Sequence, residues 1–280
     1  MAEASTADLL ARRAAVLGRP VTHSLSPVLH RAAYAALGLR WSYEAIDCGV
    51  AELPAVLAER SDWAGFSCTM PLKRVALAAA AEVAPIAAAV GAANTLLPRA
   101  GGGWIAENTD VTGIVRSLRE SGVAPGSVTV LGAGGTAQAA VAALAGLGIR
   151  ACTVLVRDES RTQQVQLTGR AVGVEVTAAV LRPDAPTLAA DLVVCTLPGA
   201  AADALAEVPW RPGQVVLDVV YDPWPTLLAT RVAAAGGQVV SGALMLLHQA
   251  EAQVELMTGL PAPAEAMRSA LRAASPSAGL

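Results

Sequence analysis

The sequence predicts an α/β protein of two parts: a mixed sheet in the first, then a doubly wound parallel sheet in the second. Three observations lead there. Short β-branched runs alternate with helical stretches along the whole chain. In the first part, ANTLLP (93–98) and GWIAE (103–107) flank the turn RAGGG, which is the pattern of an antiparallel hairpin. Near residue 109 the pattern restarts as a regular β-α-β rhythm. A chain of 280 residues suits one large domain or two moderate ones.

Taken in order, the first strand is AAVLG (14–18). The loop RPVTHSLSP leads to a helix near 27–37, where Ser26 before Pro27 has the form of an N-cap followed by proline in the first turn. WSYEAI (41–46) is the second strand, a helix follows near 51–59, and AGFSC (64–68) is the third strand. After MPLKR a helix runs through VALAAAAE to the hairpin. TDVTGIVRSLRESG reads as a capped helix ending at Gly122. The runs VTVL (128–131), ACTVLV (151–156), VEVTAA (174–179), DLVVCT (191–196) and QVVLDVV (214–220) are short and apolar, as buried parallel strands are. Helices over SGALMLLHQAEAQVELMTG (241–259) and PAEAMRSALRAA close the chain, and the tail SPSAGL reads as frayed.

Composition excludes several classes. The uncharged stretch 128–149 is long enough for a membrane span, but its glycines and alanines read better as strand, tight turn and helix. MAEASTADLLARR lacks the apolar core of a secretory signal. A net charge of −3 gives no electrostatic reason to expect nucleic acid or an anionic membrane as partner. Cys48, Cys68, Cys152 and Cys195 are far apart, with no CxxC pair and no histidine at ligand spacing. No metal site or disulfide framework is expected, and a reducing cytoplasm is the expected compartment. His23, His30 and His248 read as structural or surface residues. The oligomeric state stays open between monomer and homodimer.

VTVLGAGGTAQAA places Gly132, Gly134 and Ala137 in a G-x-G-x-x-A spacing between a strand and a helix. Gly132 permits the turn, Gly134 lets a pyrophosphate approach the backbone, and Ala137 lets helix and strand pack closely. The helix N-terminus offers N–H groups to the phosphates, so the second part is read as a Rossmann-type dinucleotide domain. The second strand of that domain ends in LVRDESR. Asp158 suits the ribose hydroxyls of NAD, whereas Arg157 and Arg161 suit the 2′-phosphate of NADP. The residues alone leave that choice open.

The first part carries four polar islands near strand ends: HSLSP (Ser24, Ser26), CTMPLK (Thr69, Lys73), GAANT (Asn94) and ENTD (Asp110). Hydroxyls, an amide, an ammonium and a carboxylate together suit a small polyhydroxylated acid. Each has a plainer reading, as a helix cap for Asp110 or Thr109 and as a turn-former for Asn94. Lys73 is the only lysine beside nineteen arginines. Either composition drifted to arginine and left one lysine behind, or this position needs a cation that can release its proton, which arginine cannot do.

SLSP, TMPLK, GAANT, NTD, GAGGTA, VYDPWPT and SGALMLLHQ occur in the order and approximate spacing of the shikimate dehydrogenases, and the resemblance runs from about residue 14 to about 270. It implies reversible reduction of 3-dehydroshikimate to shikimate with NADPH, in aromatic amino acid biosynthesis. It also implies a substrate domain over 1–108, completed by 241–280, and a Rossmann-type NADP domain over 109–240. Lys73 and Asp110 match the catalytic pair. Ser24, Ser26, Thr69, Asn94, Gln249 and Tyr221 match substrate ligands. Gly132, Ala133, Gly134, Gly135 and Thr136 match the pyrophosphate loop, and Arg157 and Arg161 the 2′-phosphate arginines. Thr196, Val219, Gly242 and Met245 fall at the nicotinamide half. The chain departs from the family at Asp158, which opposes a 2′-phosphate and keeps NAD in view, at Gln138, where an arginine is common, and at Ser67, where asparagine is common. The rival readings are a quinate or quinate/shikimate dehydrogenase using NAD, and a non-catalytic NADP-sensing protein.

Overall fold

The structure is a computed structural model and describes residues 11–279; most of the N-terminal segment read above as no secretory signal lies outside the described residues. The chain divides into two compact units. One gathers the described residues through Ala88 with Ala92–Thr109 and Ala250–Ala274, and the other gathers Ala89–Gly91, Asp110–Gln249 and the residues from Ser275 onward.

The first unit carries β1 (Arg13–Gly18), α1 (Ser26–Ala36), β2 (Ser42–Asp47), α2 (Leu53–Glu59), β3 (Gly65–Cys68), α3 (Lys73–Ala79), β4 (Glu82–Val83), β5 (Thr95–Pro98) and β6 (Trp104–Glu107), with α4 (Pro85–Val90) at its border. The sheet order is β2-β1-β3-β5-β6-β4. β1 pairs in parallel with β2 and β3, and β5 runs antiparallel to β3 and β6, so the sheet is mixed. Its core joins Leu17, Leu72 and Leu96 to the rings of Trp63, Phe66 and Trp104. Each such side chain contributes roughly 1.5–3 kcal/mol by leaving water.

The second unit contains α5 (Asp110–Glu120), β7 (Val128–Leu131), α6 (Gly135–Gly146), β8 (Ala151–Val156), α7 (Gln163–Val172), β9 (Glu175–Val180), β10 (Leu192–Cys195), β11 (Val215–Asp218), α8 (Leu227–Ala234) and β12 (Gln238–Ser241). α9 (Gly242–Thr258) begins in this unit and ends in the first, where α10 (Ala264–Ala274) packs on α1. The sheet order is β12-β11-β10-β7-β8-β9, all parallel. Central β7, β10 and β11 are buried at every residue, whereas edge strand β9 is not. α6 is buried continuously from Ala137 to Leu144, which explains its lack of charge. The stretch that is long enough for a membrane span is therefore a strand, a turn and a short helix. Among the described residues no helix is long and apolar enough to cross a membrane.

The structure corrects some local expectations. Leu25, not Ser26, is the N-cap of α1, and no side chain caps it; the Ser24 hydroxyl accepts from the Ser26 N–H at 3.3 Å. β12 was not anticipated, because QVVS is short and begins with an exposed glutamine after two glycines. β4 and α4 were not anticipated either, being two and six residues long. The tail is tied down rather than frayed: Ala278 is buried, and its carbonyl accepts from the Ser241 hydroxyl.

Candidate active site

In the first unit the polar islands are joined at their roots by backbone contacts. Gly18 ends β1, and a Cβ there would lie 2.3 Å from Thr69 Cγ2 and 2.8 Å from the Met70 carbonyl. Only glycine lets the segment after β3 cross the end of β1 so closely. There the Thr69 N–H donates to the Leu17 carbonyl at 2.9 Å, and the Arg19 N–H to the Met70 carbonyl at 3.0 Å. The loop carrying Ser24 and Ser26 and the loop carrying Thr69 and Lys73 thus spring from one place.

Lys73 opens α3 and is half-buried. Its carbonyl accepts from the Ala93 N–H at 2.8 Å, and the Asn94 carbonyl accepts from the Cys68 N–H at 2.7 Å. Because β5 runs antiparallel to β3, the residue just before β5 meets the residues just after β3. Asn94 therefore joins Thr69 and Lys73 although it precedes its strand. The Asn94 side chain is buried. Its Oδ1 accepts from the Thr109 N–H at 2.7 Å and from the Thr95 hydroxyl at 2.9 Å, and its Nδ2 donates to Thr109 Oγ1 at 2.9 Å.

In the second unit Asp110 opens α5 and is buried. A Cβ on Gly113 would lie 2.8 Å from the Met245 carbonyl and 3.0 Å from Gln249 Cβ, so the first turn of α5 lies against the start of α9. Asp110, Met245 and Gln249 share that neighbourhood, and Gln249 Nε2 donates to the Leu246 carbonyl at 3.1 Å. At the head of α9, Gly242 packs directly on the carbonyls of Val219 and Val220. Tyr221 follows, half-buried, and burial pushes its phenol upward.

β7 and β10 are neighbours at the point where the strand order reverses, the place where open parallel sheets bind ligands. Gly132 follows β7 with φ +105°, and a Cβ there would lie 2.7 Å from Oγ1 of Thr196, which follows β10. The Thr196 hydroxyl donates to the Leu131 carbonyl at 2.6 Å. Gly134 is the N-cap of α6, and nothing lies within 4 Å of where its Cβ would be. That open backbone, followed by Gly135 and Thr136 at the head of a twelve-residue helix, fits a pyrophosphate, with Ala133 bridging the two glycines. Ala137 is fully buried, in keeping with close helix packing. Gln138 is buried as well, and its Oε1 has no hydrogen-bond partner.

Arg157 and Arg161 are exposed at the end of β8. Between them, Asp158 Oδ1 accepts from the Ser160 N–H at 3.0 Å and the Ser160 hydroxyl at 2.7 Å, capping the 3-10 turn Glu159–Thr162. The Ser160 hydroxyl is the main cause holding the Asp158 carboxyl below its usual range. The residue that opposed a 2′-phosphate in sequence thus has a local structural task.

His23 is exposed, His30 is buried, and His248 Nε2 lies 2.9 Å from Glu120 Oε2. Among the described residues no group of three or more His, Cys, Asp or Glu is placed to hold a metal. All four cysteines are buried and unpaired with one another. Of the residues that surround Asn94 and its carbonyl, sequence reasoning passed over Thr95 and Gln253, and took Thr109 only as a helix cap and Ser67 only as a departure from the family. Only the nearness of Thr95 to GAAN offered any signal.

Two family models match the chain: the shikimate dehydrogenase substrate binding domain over residues 16–96 and the shikimate 5′-dehydrogenase C-terminal domain over 242–272. The shikimate dehydrogenase (NADP(+)) of Moorella thermoacetica is 37% identical over 279 residues, covering 93% of this chain and 92% of its own length. The crystal structure of Mycobacterium tuberculosis shikimate dehydrogenase is similar with a TM-score of 0.84 and 49% identity, over 94% of this chain and 99% of that one. The Thermus thermophilus shikimate 5-dehydrogenase, in complex with NADP(H) and shikimate, gives a TM-score of 0.82 and 33% identity, over 94% and 99%.

Proposed function

The chain belongs to the shikimate dehydrogenase family, and from that premise we propose how its residues carry out the NADPH-dependent, reversible reduction of 3-dehydroshikimate to shikimate in aromatic amino acid biosynthesis. Substrate binding is assigned to residues 1–108 with the helices of 241–280, and cofactor binding to 109–240. The pyrophosphate of NADP is held by Gly132, Ala133, Gly134, Gly135 and Thr136. Arg157 and Arg161 hold its 2′-phosphate, and Thr196, Val219, Gly242 and Met245 adjoin its nicotinamide half. Bound NADPH supplies the hydride.

The chain's own residues bind, orient and move a proton. Ser24 and Ser26 take the substrate carboxylate, while Thr69, Asn94, Tyr221 and Gln249 fix the ring and its hydroxyls, so that binding supports orientation. Lys73 gives a proton from Nζ to the developing alkoxide and recovers it in the reverse direction. Asp110 orients that exchange. An ammonium at this position also stabilises the alkoxide electrostatically. The observation that carries this reading is that the only lysine of the chain is bonded through its backbone to the segment bearing Asn94.

The test follows the absorbance of the reduced cofactor with shikimate or quinate, each with NADP or NAD. Shikimate with NADP is expected to give the highest kcat/KM. Preference for quinate with NAD would support the rival enzyme, and no turnover in any combination would support the sensor. Lys73→Arg keeps the charge without an exchangeable proton and is expected to lower kcat by on the order of 10²–10⁴-fold. Parent-like turnover in that variant refutes the role.

A further inference from the structure

Behind Asn94, in the first unit, lies a buried chain of polar side chains whose proton directions are fixed from both ends. Gln253, on α9, is 1% exposed. Its Nε2 lies 3.2 Å from the Asn94 carbonyl and 2.8 Å from Thr95 Oγ1, while its Oε1 lies 2.8 Å from Ser67 Oγ and 3.2 Å from His30 Nε2. A carbonyl only accepts, so the NH2 of Gln253 must face Asn94. Its oxygen therefore faces Ser67 and His30, and both must donate. Ser67 gives its single proton to Gln253 and accepts from the Tyr43 hydroxyl at 2.5 Å.

Thr95 is constrained in the same way. It accepts from Gln253, so its own proton goes to Asn94 Oδ1 at 2.9 Å. The opposite end is anchored by the Thr109 N–H, which only donates, onto the same Oδ1 at 2.7 Å. Flipping the Asn94 amide would set NH2 against two donors in a buried site, at the cost of an unsatisfied group on each.

We infer that Gln253, acting through Thr95, is a positioning residue that fixes the Asn94 carboxamide with Oδ1 on Thr95 and the Thr109 N–H and Nδ2 on the side of Thr109 Oγ1, so that the amide edge Asn94 offers the substrate is a hydrogen-bond donor to an oxygen and not an acceptor. This rests on the proposed role of Asn94 as a substrate ligand. The relay also gives Ser67 a purpose: its one proton is committed to Gln253, so in this chain the position supports Asn94.

The decisive pair is Thr95→Val and Thr95→Ser, since valine keeps the shape but neither accepts nor donates, and serine keeps both. Thr95→Val is expected to raise the KM for shikimate about tenfold, the scale of one hydrogen bond, with kcat within about threefold and the KM for NADP unchanged. Thr95→Ser should restore parent-like values. Gln253→Leu should repeat the valine effect, and thermal unfolding of each variant checks that it is folded. Asn94→Ala separates the two claims. A parent-like KM in Asn94→Ala overturns the ligand role itself. A raised KM in Asn94→Ala with a parent-like KM in Thr95→Val overturns the relay alone, as does a Thr95→Ser variant no better than Thr95→Val.

Discussion

Replacing His30 with phenylalanine should remove a pH dependence from the stability of the substrate half. The imidazole is fully buried, stacked on Tyr43 at a centroid distance of 4.0 Å, with Nε2 donating to Gln253 and Nδ1 3.4 Å from the Tyr34 hydroxyl. Burial lowers its pKa from 6.5 to about 3, against a smaller opposing effect of the Gln253 hydrogen bond. Between those values the unfolded chain binds a proton that the folded chain does not, so the neutral ring's contribution is complete above pH 6.5 and is lost as pH falls toward 3. At about 1.4 kcal/mol per pH unit, the loss at pH 5 is about 2 kcal/mol.

His30→Phe keeps a ring beside Tyr43 but leaves the Tyr34 hydroxyl without its partner, and should cost about 1–3 kcal/mol at pH 8. Urea unfolding of both proteins from pH 8 to pH 4.5 reads the difference, since groups that titrate alike in both cancel. The gap should narrow by about 2 kcal/mol between pH 8 and pH 5. A constant gap across that range would show that His30 accepts a proton at Nδ1 while folded, and the neutral buried ring with Nδ1 as acceptor from Tyr34 would fall with it.

Two further outcomes bear on the cofactor. Gly132→Ala places a methyl 2.7 Å from Thr196 Oγ1 on a backbone with φ +105°, a strain of about 1–2 kcal/mol before any clash. The KM for NADP should rise about tenfold or more while that for shikimate stays within about twofold; equal effects on both would point to general unfolding. Asp158→Ser keeps a capping oxygen and removes the exposed charge, so the KM for NADP should fall about twofold to fivefold, the scale of one exposed charge pair. A raised KM for NAD in that variant would instead identify Asp158 as a ribose ligand.

The parts of the molecule that were legible in sequence are those whose cause is local. The GAGGTA turn showed itself because a tight turn, an open backbone and a close helix contact each demand a small residue at a fixed offset. The runs of β7, β10 and β11 showed themselves because a strand buried on both faces is almost wholly apolar. β12 did not, since an edge strand of four residues has too little pattern to separate it from a loop. Asp158 was legible as a charge but not as a cap, because its partner Ser160 decides which of the two matters.

The relay was illegible for a different reason. Gln253 lies on an ordinary helical stretch, 158 residues from Thr95 and 186 from Ser67, and nothing in its own neighbourhood marks it. Its importance comes from two backbone groups with no freedom of role, the Asn94 carbonyl and the Thr109 N–H. The backbone at Asn94 also fixes Lys73: the Ala93 N–H holds the Lys73 carbonyl, and the Asn94 carbonyl takes both the Cys68 N–H and Gln253 Nε2. Thr95→Val cuts the links of Thr95 to Gln253 and to the Asn94 side chain but leaves Gln253 Nε2 its place on the Asn94 carbonyl, whereas Gln253→Leu also removes that donor from the backbone next to the Lys73 anchor. If kcat falls in the second variant and holds in the first, the polar chain supports the ammonium as well as the amide. Equal kcat in both confines it to orienting Asn94.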